Sequence, residues 1–465
     1  MTNAADNHET GDFRPRGLVP EWFLGPRDPR YRLVVWCFVV GSASHLWLAD
    51  AWQLDWVPAN AIYVLGLVVL MAAGGPAGWA LCGLGLAIPL LFLRDQLTQS
   101  VFLLAVAVAG IVFTSRFAAS SRLESFLTAV RGLTLATYLV AVFHKLNAQF
   151  LDPKYSCANY GMNEVFEYFR LDPAWFGALD GIHPYVAVAF EVAIPVAYLL
   201  GRRHFARTVA VAFHIPLTLT MAPAFVFVMA AGHAAFLSQS EISQLAQGFR
   251  DHARRLVGLA AALTIISLLL HGAWPEPLMI PRELVLWLLL LWFLAVRPEH
   301  DALRGHRSPF AVAVVAAFVL NGFTPYTGIQ VQHAAAMLSN LRIDEGCWNH
   351  YLVPKSVRLT DDYVRVEEVF FGAPGRVEEY ERIVLEQLWS PPQIRQMRRN
   401  WCRPEVRPFH MRGTFRGRVW EVGDLCDDSE AWPFEDDGVF GVELFPEYLR
   451  FQKNLMRECP QECIH

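Results

Sequence analysis

Long runs of apolar residues follow one another along the first 325 residues of the chain. Eleven of them approach the length of about 20 residues that an upright membrane helix needs. They lie at 31–49, 57–74, 77–93, 100–117, 125–147, 184–200, 206–222, 223–238, 256–272, 284–297 and 309–325. The pattern predicts an all-α polytopic membrane helix bundle of about eleven spans. The two segments that meet at Pro223 form either two crossings or one re-entrant hairpin.

The pattern changes after residue 325. VRVEEVFF and FRGRVWEVGDL alternate apolar and polar residues like strands, whereas EEYERIVLEQLW and PPQIRQMRRNWC have helical spacing. An amphipathic helix is also expected around Gln330–Leu341. We therefore predict three parts: a polar N-terminal segment over 1–30, the helix bundle over 31–325 and a small α+β domain over 326–465.

Composition agrees with a membrane protein. Hydrophobic residues make up 54% of the chain and charged residues 18%, whereas soluble globular proteins carry about 25% charged residues. The net charge of −5 is spread along the sequence without a basic patch. Membrane lipids are therefore the expected surroundings, and no nucleic-acid partner is predicted.

Lysine and arginine residues concentrate in alternate loops, and such loops remain in the cytoplasm. Five arginines surround the start of the first predicted span. The opposite loops carry four basic residues: Arg94, Lys154, Arg170 and Arg282. We therefore expect an integral protein of a plasma or inner membrane, with a cytoplasmic N-terminus and an extracytoplasmic C-terminal domain.

Six of the eight cysteines fall on the predicted extracytoplasmic side: Cys157, Cys347, Cys402, Cys426, Cys459 and Cys463. An even set in an oxidising compartment indicates disulfides, although their spacing does not select one pairing. In a reducing compartment the same residues would be free thiols. The spacing of cysteines and histidines does not match a zinc site, so no metal is predicted.

The segment 125–147 is a hydrophobic helix with polar residues inside its apolar run. Helical steps place one set on a single face: Thr128, Arg131, Thr134, Tyr138, Ala141 and Lys145. A polar stripe on a membrane helix faces protein or a wet cavity rather than lipid. His144 and Lys145 end this helix and are candidate catalytic residues. In the alternative interpretation, Lys145 extends to the headgroups and His144 packs in the bundle.

Three residues are candidates for binding a cofactor. Glu191 and His214 lie well within predicted spans, where an ionisable side chain is costly and faces a partner or water. Tyr138 lies on the polar stripe two helical turns before Lys145. The alternative is a purely structural pairing with neighbouring helices. Three other histidines lie near span ends and are expected to be interfacial: His45, His233 and His271.

The run YLVAVFHKLNAQFLDPKYSC, residues 138–157, resembles the lysine-bearing helix of the horizontally transferred transmembrane domain family. Its animal relative is the vitamin K-dependent γ-carboxylase. The later run MLSNLRIDEGCWNHYLVP looks like a tail segment of bacterial relatives. The resemblance covers roughly residues 25–350. Elsewhere in this region the similarity is mostly one of hydropathy.

The resemblance implies a reaction in which Lys145 is the base toward a reduced quinone, either vitamin K or menaquinone, with O2 and CO2 as co-reactants. A desolvated lysine has its charged form disfavoured and is then a competent general base. The implied partner is an exported peptide or small substrate, although the C-terminal domain is much shorter than that of the animal enzyme. The alternative function is a proton-coupled transporter or lipid-handling protein that uses the same polar residues. We expect Lys145→Ala to abolish activity with little loss of stability.

Overall fold

The computed structural model describes residues 24–48, 57–92, 99–114, 119–219, 224–270, 308–328, 334–336, 338–344, 346–359, 363–372, 377–402, 407–427, 455–461 and 463. Most of these residues are helical, and a small sheet follows the helices. The helices before residue 330 are α1 Pro29–Leu48, α2 Val57–Ala73, α3 Pro76–Phe92, α4 Gln99–Thr114, α5 Ala119–Lys145, α6 Ala148–Leu151, α7 Cys157–Tyr168, α8 His183–Leu199, α9 Arg203–Leu219, α10 Phe225–Ala234, α11 Gln239–Leu270 and α12 Pro309–Thr327. A 3₁₀ helix, Pro173–Leu179, precedes α8.

Helices α2 and α3 form a tight hairpin. The turn is made at Gly74, whose φ of +66° is a conformation that glycine adopts without strain. The hydroxyl of Tyr31 donates a hydrogen bond to the Gly74 carbonyl and accepts one of 2.8 Å from the indole nitrogen of Trp79. These contacts fasten α1 to the hairpin.

Helix α5 lies in the middle of the bundle and packs against α4, α8, α10 and α12. Apolar residues on several of its faces are fully buried, among them Leu127, Val130 and Leu133. The predicted polar stripe is buried as well, since Arg131 and Lys145 are 8% and 6% exposed. A helix that packs against four others can bring polar groups together away from solvent.

Two described helices are long and apolar enough to cross a membrane: Arg122–Lys145, within α5, and α12. A third crossing arises if Pro173–Leu179 and α8 are counted as one element bent by 67°. The other apolar helices in the described part of the chain are shorter, with 10–17 residues. These helices suggest association with a membrane. They do not support the predicted eleven spans, because most end before the length of about 20 residues that a crossing needs.

Two further differences from the sequence patterns concern individual segments. Helix α11 begins at Gln239, well before the predicted span 256–272. The predicted helix around Gln330–Leu341 is wrong in its described part, because residues 338–342 are not helical. The predicted span 284–297 lies outside the described residues.

The C-terminal part confirms a small α+β structure. A five-stranded antiparallel sheet has the order β6-β5-β3-β4-β7. Its strands are β3 Val364–Phe371, β4 Gln387–Trp389, β5 Phe409–Phe415, β6 Arg418–Val422 and β7 Leu455–Met456, and a separate pair is β1 Ile343–Asp344 with β2 Cys347–Trp348. Helices α13 Val377–Glu386 and α14 Pro391–Trp401 contribute apolar residues to the core of this sheet.

The six cysteines after residue 150 form three disulfides, which confirms the disulfides expected from their even number. The pairs are Cys157–Cys463, Cys347–Cys459 and Cys402–Cys426. The first two tie α7 and β2 to the end of the chain, whereas the third closes a loop within the sheet region. Cys37 and Cys82, in α1 and α3, are free thiols. The disulfides indicate an oxidising compartment.

Candidate functional site

Lys145 and Glu191, two charged residues in largely apolar helices, pair with each other. Lys145 Nζ, in the last turn of α5, donates a hydrogen bond of 2.9 Å to Glu191 Oε1 in α8. Each side chain is 7% exposed. The ring of Phe150 lies beside the pair, with its centroid 5.6 Å from Nζ. A lone buried charge is strongly unfavourable, so this pairing allows both residues to stay inside the bundle.

The chain that leaves α5 is fastened by Asn147, which is fully buried. Its side-chain oxygen accepts hydrogen bonds from the backbone N–H groups of Gln149 and Phe150 and so caps α6. Its side-chain nitrogen donates to the carbonyls of His144 and Ser339, at 2.7 and 2.6 Å. Asn147 therefore joins the end of α5 to the segment before β1.

His350 strengthens the same joint. Its Nε2–H donates a hydrogen bond of 2.9 Å to the Phe143 carbonyl. Its Nδ1 accepts from the backbone N–H groups of Leu352 and Val353, at 3.2 and 3.0 Å. Burial lowers the pKa of His350, and the hydrogen bond to Phe143 acts in the opposite direction. A proton on Nδ1 would remove the acceptor of two backbone hydrogen bonds.

His144 points away from the Lys145–Glu191 pair, because successive residues on an α-helix project about 100° apart. Its Nδ1 lies 2.8 Å from the hydroxyl of Tyr326 on α12, and its Nε2 donates to the Ala334 carbonyl at 3.1 Å. The two rings stack with centroids 5.5 Å apart. His144 therefore packs between α5 and α12, and its side chain does not contribute to the Lys145–Glu191 site.

A second polar cluster lies about two turns along α5 from Lys145. The hydroxyl of Tyr138 lies 2.7 Å from Nε2 of His214 and 2.9 Å from Nε2 of His233. The hydroxyl of Tyr198 lies 2.8 Å from Nδ1 of His233. All four side chains are buried. They form one unbranched chain of hydrogen bonds across α8, α10, α5 and α9, which we call the Tyr–His chain.

A seven-residue spacing explains why the two clusters lie one above the other. Tyr138 and Lys145 are seven residues apart on α5, and Glu191 and Tyr198 are seven apart on α8. Seven residues are close to two helical turns, about 10.5 Å along the axis, and return to nearly the same face. Because α5 and α8 pack together, the two polar levels of one helix meet those of the other.

A glycine brings His233 close enough to take part. Helix α10 meets α5 at Gly232, where an added Cβ would overlap the hydroxyl oxygen of Thr134. The absence of a side chain lets the two backbones approach. His233, the next residue, therefore reaches Tyr138.

A third polar cluster lies at the opposite end of the bundle. Arg203 and Arg207 of α9 form ion pairs with Glu241 of α11, at 3.5 and 3.1 Å. Arg131, one further seven-residue step along α5, donates from Nε to the Ala235 carbonyl at 2.7 Å. All three arginines and Glu241 are buried. The polar stripe of α5 therefore connects three clusters along the bundle.

Among the buried polar atoms without a hydrogen-bond partner in the described part of the chain, one belongs to the Lys145–Glu191 pair and one to the Tyr–His chain: Oε2 of Glu191 and Nδ1 of His214. Phe190 and Phe213, which directly precede Glu191 and His214, stack with ring centroids 6.2 Å apart. Glu191 and His214 therefore lie at a similar height on the packed helices α8 and α9. A buried polar group without a partner costs about 1–3 kcal/mol. Both atoms are therefore suited to contact a ligand or a water molecule.

The sequence patterns identify most of the residues in these clusters, but they assign the wrong environment to His45 and His233. Glu191 pairs with Lys145, and Tyr138 bonds to His214, whereas His144 lies apart. The interfacial interpretation of His45 and His233 is wrong, because both are buried and hydrogen-bonded within the bundle. His271 lies outside the described residues.

Sequence reasoning missed Tyr198 altogether. The signal for it was present in the same seven-residue interval that links Tyr138 to Lys145, since Tyr198 follows Glu191 by that interval. A tyrosine in an apolar helix is common, however, and only the contact between α8 and α10 shows that its hydroxyl meets His233.

No family model, curated protein or solved structure matches this chain. The interpretation of the site therefore depends on its own geometry and on the resemblance described above.

Proposed function

We propose that this chain is a membrane enzyme of the vitamin K-dependent γ-carboxylase type, in which the Lys145–Glu191 pair accepts a proton from a reduced quinone. The observation that carries the proposal is a buried ion pair in which one carboxylate oxygen, Glu191 Oε2, has no hydrogen-bond partner among the described residues. The helix bundle crosses the membrane with its N-terminus in the cytoplasm, and the C-terminal domain lies on the oxidising side. The alternation of basic loops and the three disulfides support this orientation.

The residues around the pair suit a reduced quinone, which is a lipophilic ring with hydroxyl groups. Glu191 Oε2 can accept a hydrogen bond from such a hydroxyl, and the aromatic ring of Phe150 offers apolar contact beside Lys145. Reduced vitamin K or menaquinone, when bound, supplies acidic hydroxyl protons and two electrons for O2. Lys145, Glu191 and Phe150 are the residues that would hold its hydroxyl-bearing end.

The geometry changes how the base is understood. Lys145 and Glu191 share a hydrogen bond, so the acceptor is the pair rather than an isolated amine. With an ammonium and a carboxylate, the incoming proton goes to Glu191; with an amine and a carboxylic acid, it goes to Lys145. Either route ends with an ammonium beside a carboxylic acid, and the two descriptions belong to one coupled group.

The resemblance also implies a second substrate, an exported peptide or small molecule that gains CO2. The Asn147 joint and its neighbouring disulfides lie directly after Lys145, so this part of the molecule would form the wall between the site and that substrate. The C-terminal domain over 326–465 offers much less surface than the animal enzyme for recognising a long peptide.

A second candidate function has one specific observation in its favour. Polar groups do not stop at the Lys145–Glu191 pair but continue through the Tyr–His chain to Arg207 and Glu241. A proton-coupled transporter or lipid-handling protein requires polar groups along its path, whereas a pocket enzyme needs them near one end only.

The test is to reconstitute the full chain in liposomes with reduced vitamin K or reduced menaquinone, and to follow O2 uptake and epoxide formation by mass spectrometry. We expect O2-dependent epoxide in the wild type and a loss of about 100-fold or more in Lys145→Met. Incorporation of labelled CO2 into added peptides tests the second half of the reaction.

Controls separate a catalytic defect from a folding defect. Lys154→Met changes an exposed lysine shortly after the site and should keep full activity. Lys145→Met combined with Glu191→Met removes both charges and is expected to fold, yet should be as inactive as the single variant. A folded Lys145 variant with normal turnover would overturn the proposal, and proton flux without any quinol oxidation would favour the transporter.

A further inference from the structure

The Tyr–His chain is not needed to accept a proton at Lys145 and Glu191, yet it is built from four buried polar side chains. Most side-chain hydrogen bonds in proteins go to backbone groups or to water. Here Tyr138, His233 and Tyr198 instead bond to one another at 2.7–2.9 Å, together with His214.

The donors and acceptors of this chain allow two complete orientations. A neutral imidazole donates from one nitrogen and accepts at the other, and a hydroxyl does both. In one orientation His214 donates to Tyr138, Tyr138 to His233, and His233 to Tyr198. In the other, every hydrogen bond points the opposite way. Tyr138 and His233 each have one partner on either side, and His214 and Tyr198 form the two ends. A proton entering at one end therefore reverses every hydrogen bond between them.

The two ends of the chain lie at different levels of the bundle. At one end, Nδ1 of His214 lacks a partner within the described residues and shares the level of Glu191. At the other, the Tyr198 ring stacks on Phe236, whose carbonyl accepts a hydrogen bond of 3.3 Å from Arg203, the partner of Glu241. The chain therefore begins beside the proposed quinol site and ends next to the charged cluster at the far end of the bundle.

We propose that the Tyr–His chain conducts protons between the quinol site and the Glu241 end of the bundle. This role rests on the proposed function for the source of the protons. One proton binds His214 Nδ1, and the Nε2 proton passes to Tyr138 oxygen. The Tyr138 proton passes to His233 Nε2, and the His233 Nδ1 proton passes to the Tyr198 oxygen. The Tyr198 proton then leaves toward the carboxylate of Glu241, which accepts it. No charge remains on the chain, which must then reorient before the next transfer.

Tyr198→Phe tests this role with little structural change, because its ring stacks on Phe236 at 3.7 Å and Phe can keep that contact. Tyr185→Phe is the matched control on the same helix, at a side chain that is 56% exposed. Full-length protein is placed in liposomes with a pH-sensitive dye inside, and protease access to the C-terminal domain reports its orientation. Vitamin K hydroquinone then starts a single turnover.

We expect protons at the Glu241 end to appear at least about tenfold more slowly in Tyr198→Phe. Quinone affinity, measured by tryptophan quenching, should change less than about twofold, since the change lies two turns from Glu191. Tyr185→Phe should match the wild type in both measurements. Equal proton release in Tyr198→Phe and wild type would overturn the proposal, and so would a parallel loss of affinity and proton release, which indicates a structural role.

A wrong proposed function can be distinguished from a Tyr–His chain that does not conduct protons. If no preparation oxidises quinol, the proposed function is wrong. Conduction by the Tyr–His chain is then tested separately, by measuring the proton flux that a potassium diffusion potential drives in the same liposomes. A flux in wild type that falls at least about fivefold in Tyr198→Phe supports conduction by this route. The absence of flux, or an equal flux in both, overturns it.

Discussion

Removing one member of the Lys145–Glu191 pair should lower the free energy of unfolding, whereas replacing both members should leave it unchanged or raise it. Lys145→Met leaves Glu191 as a buried carboxylate with neither oxygen paired within the described part of the chain. Removing one member of a buried ion pair costs about 3–5 kcal/mol. Glu191→Met leaves the Lys145 ammonium without its carboxylate, and we expect a loss of the same size.

The double variant should behave differently. Lys145→Met combined with Glu191→Met replaces both charges by apolar side chains of similar volume, and such replacements are often neutral or stabilising by about 1–4 kcal/mol. We therefore expect a coupling energy of at least about 3 kcal/mol in a double-mutant cycle. Unfolding by SDS in mixed micelles, followed by tryptophan fluorescence, measures all four proteins.

An exposed lysine provides the control for the general effect of losing a charge. Lys154→Met should change the free energy of unfolding by less than about 0.5 kcal/mol. If the losses of the two single variants simply add in the double variant, Lys145 and Glu191 do not interact in the folded protein and the reasoning fails. The ion pair also revises the expectation that Lys145→Ala keeps the stability of the wild type.

Three shorter predictions concern other parts of the molecule. Gly232→Ala should cost about 1–3 kcal/mol of thermal stability by overlap with Thr134, whereas Gly258→Ala, which has open space, should not destabilise. Burial lowers the pKa of His350 below about 6.5. The unfolded chain therefore binds that proton first, and stability should fall less steeply in His350→Gln than in the wild type as the pH drops below about 6.5, because other buried histidines remain in the variant. Maleimide labelling of the denatured chain should add two groups before reduction and eight after it.

The positions of many helices and strands could be predicted because hydrophobic periodicity is a local property. The strand in 364–371 and helix α14 follow directly from their patterns. The helix predicted for 378–389 is right only as far as Glu386, because Gln387–Trp389 form β4. The number of membrane crossings could not be predicted in the same way. An apolar run indicates where a helix is favoured, but it does not determine the residue at which the helix ends. Helix α10 has ten residues, although the apolar run around it is longer.

The candidate site was partly predictable for a related reason. The stripe on α5 identified Tyr138 and Lys145 from spacing alone, since one helix determines which of its residues share a face. The partner of Lys145 lies 46 residues away on α8, and the sequence contains no local signal for that contact. His233 was misjudged because its depth was estimated from the ends of a predicted span, whereas Gly232 brings it against α5.

The Asn147 joint, formed by the hydrogen bonds of Asn147 directly after α5, helps to position Lys145. A lysine side chain is long and flexible, and acid–base chemistry depends on placing the reacting atoms accurately. The Asn147 joint fixes the backbone after Lys145, and Gln149 in the same loop donates a hydrogen bond of 3.1 Å to Cys347 Sγ. Since Cys347 is bonded to Cys459, the oxidised state of this disulfide helps to hold the loop beside the amine. Reducing this disulfide should therefore loosen the loop that follows Lys145, and the bond itself indicates an oxidising compartment.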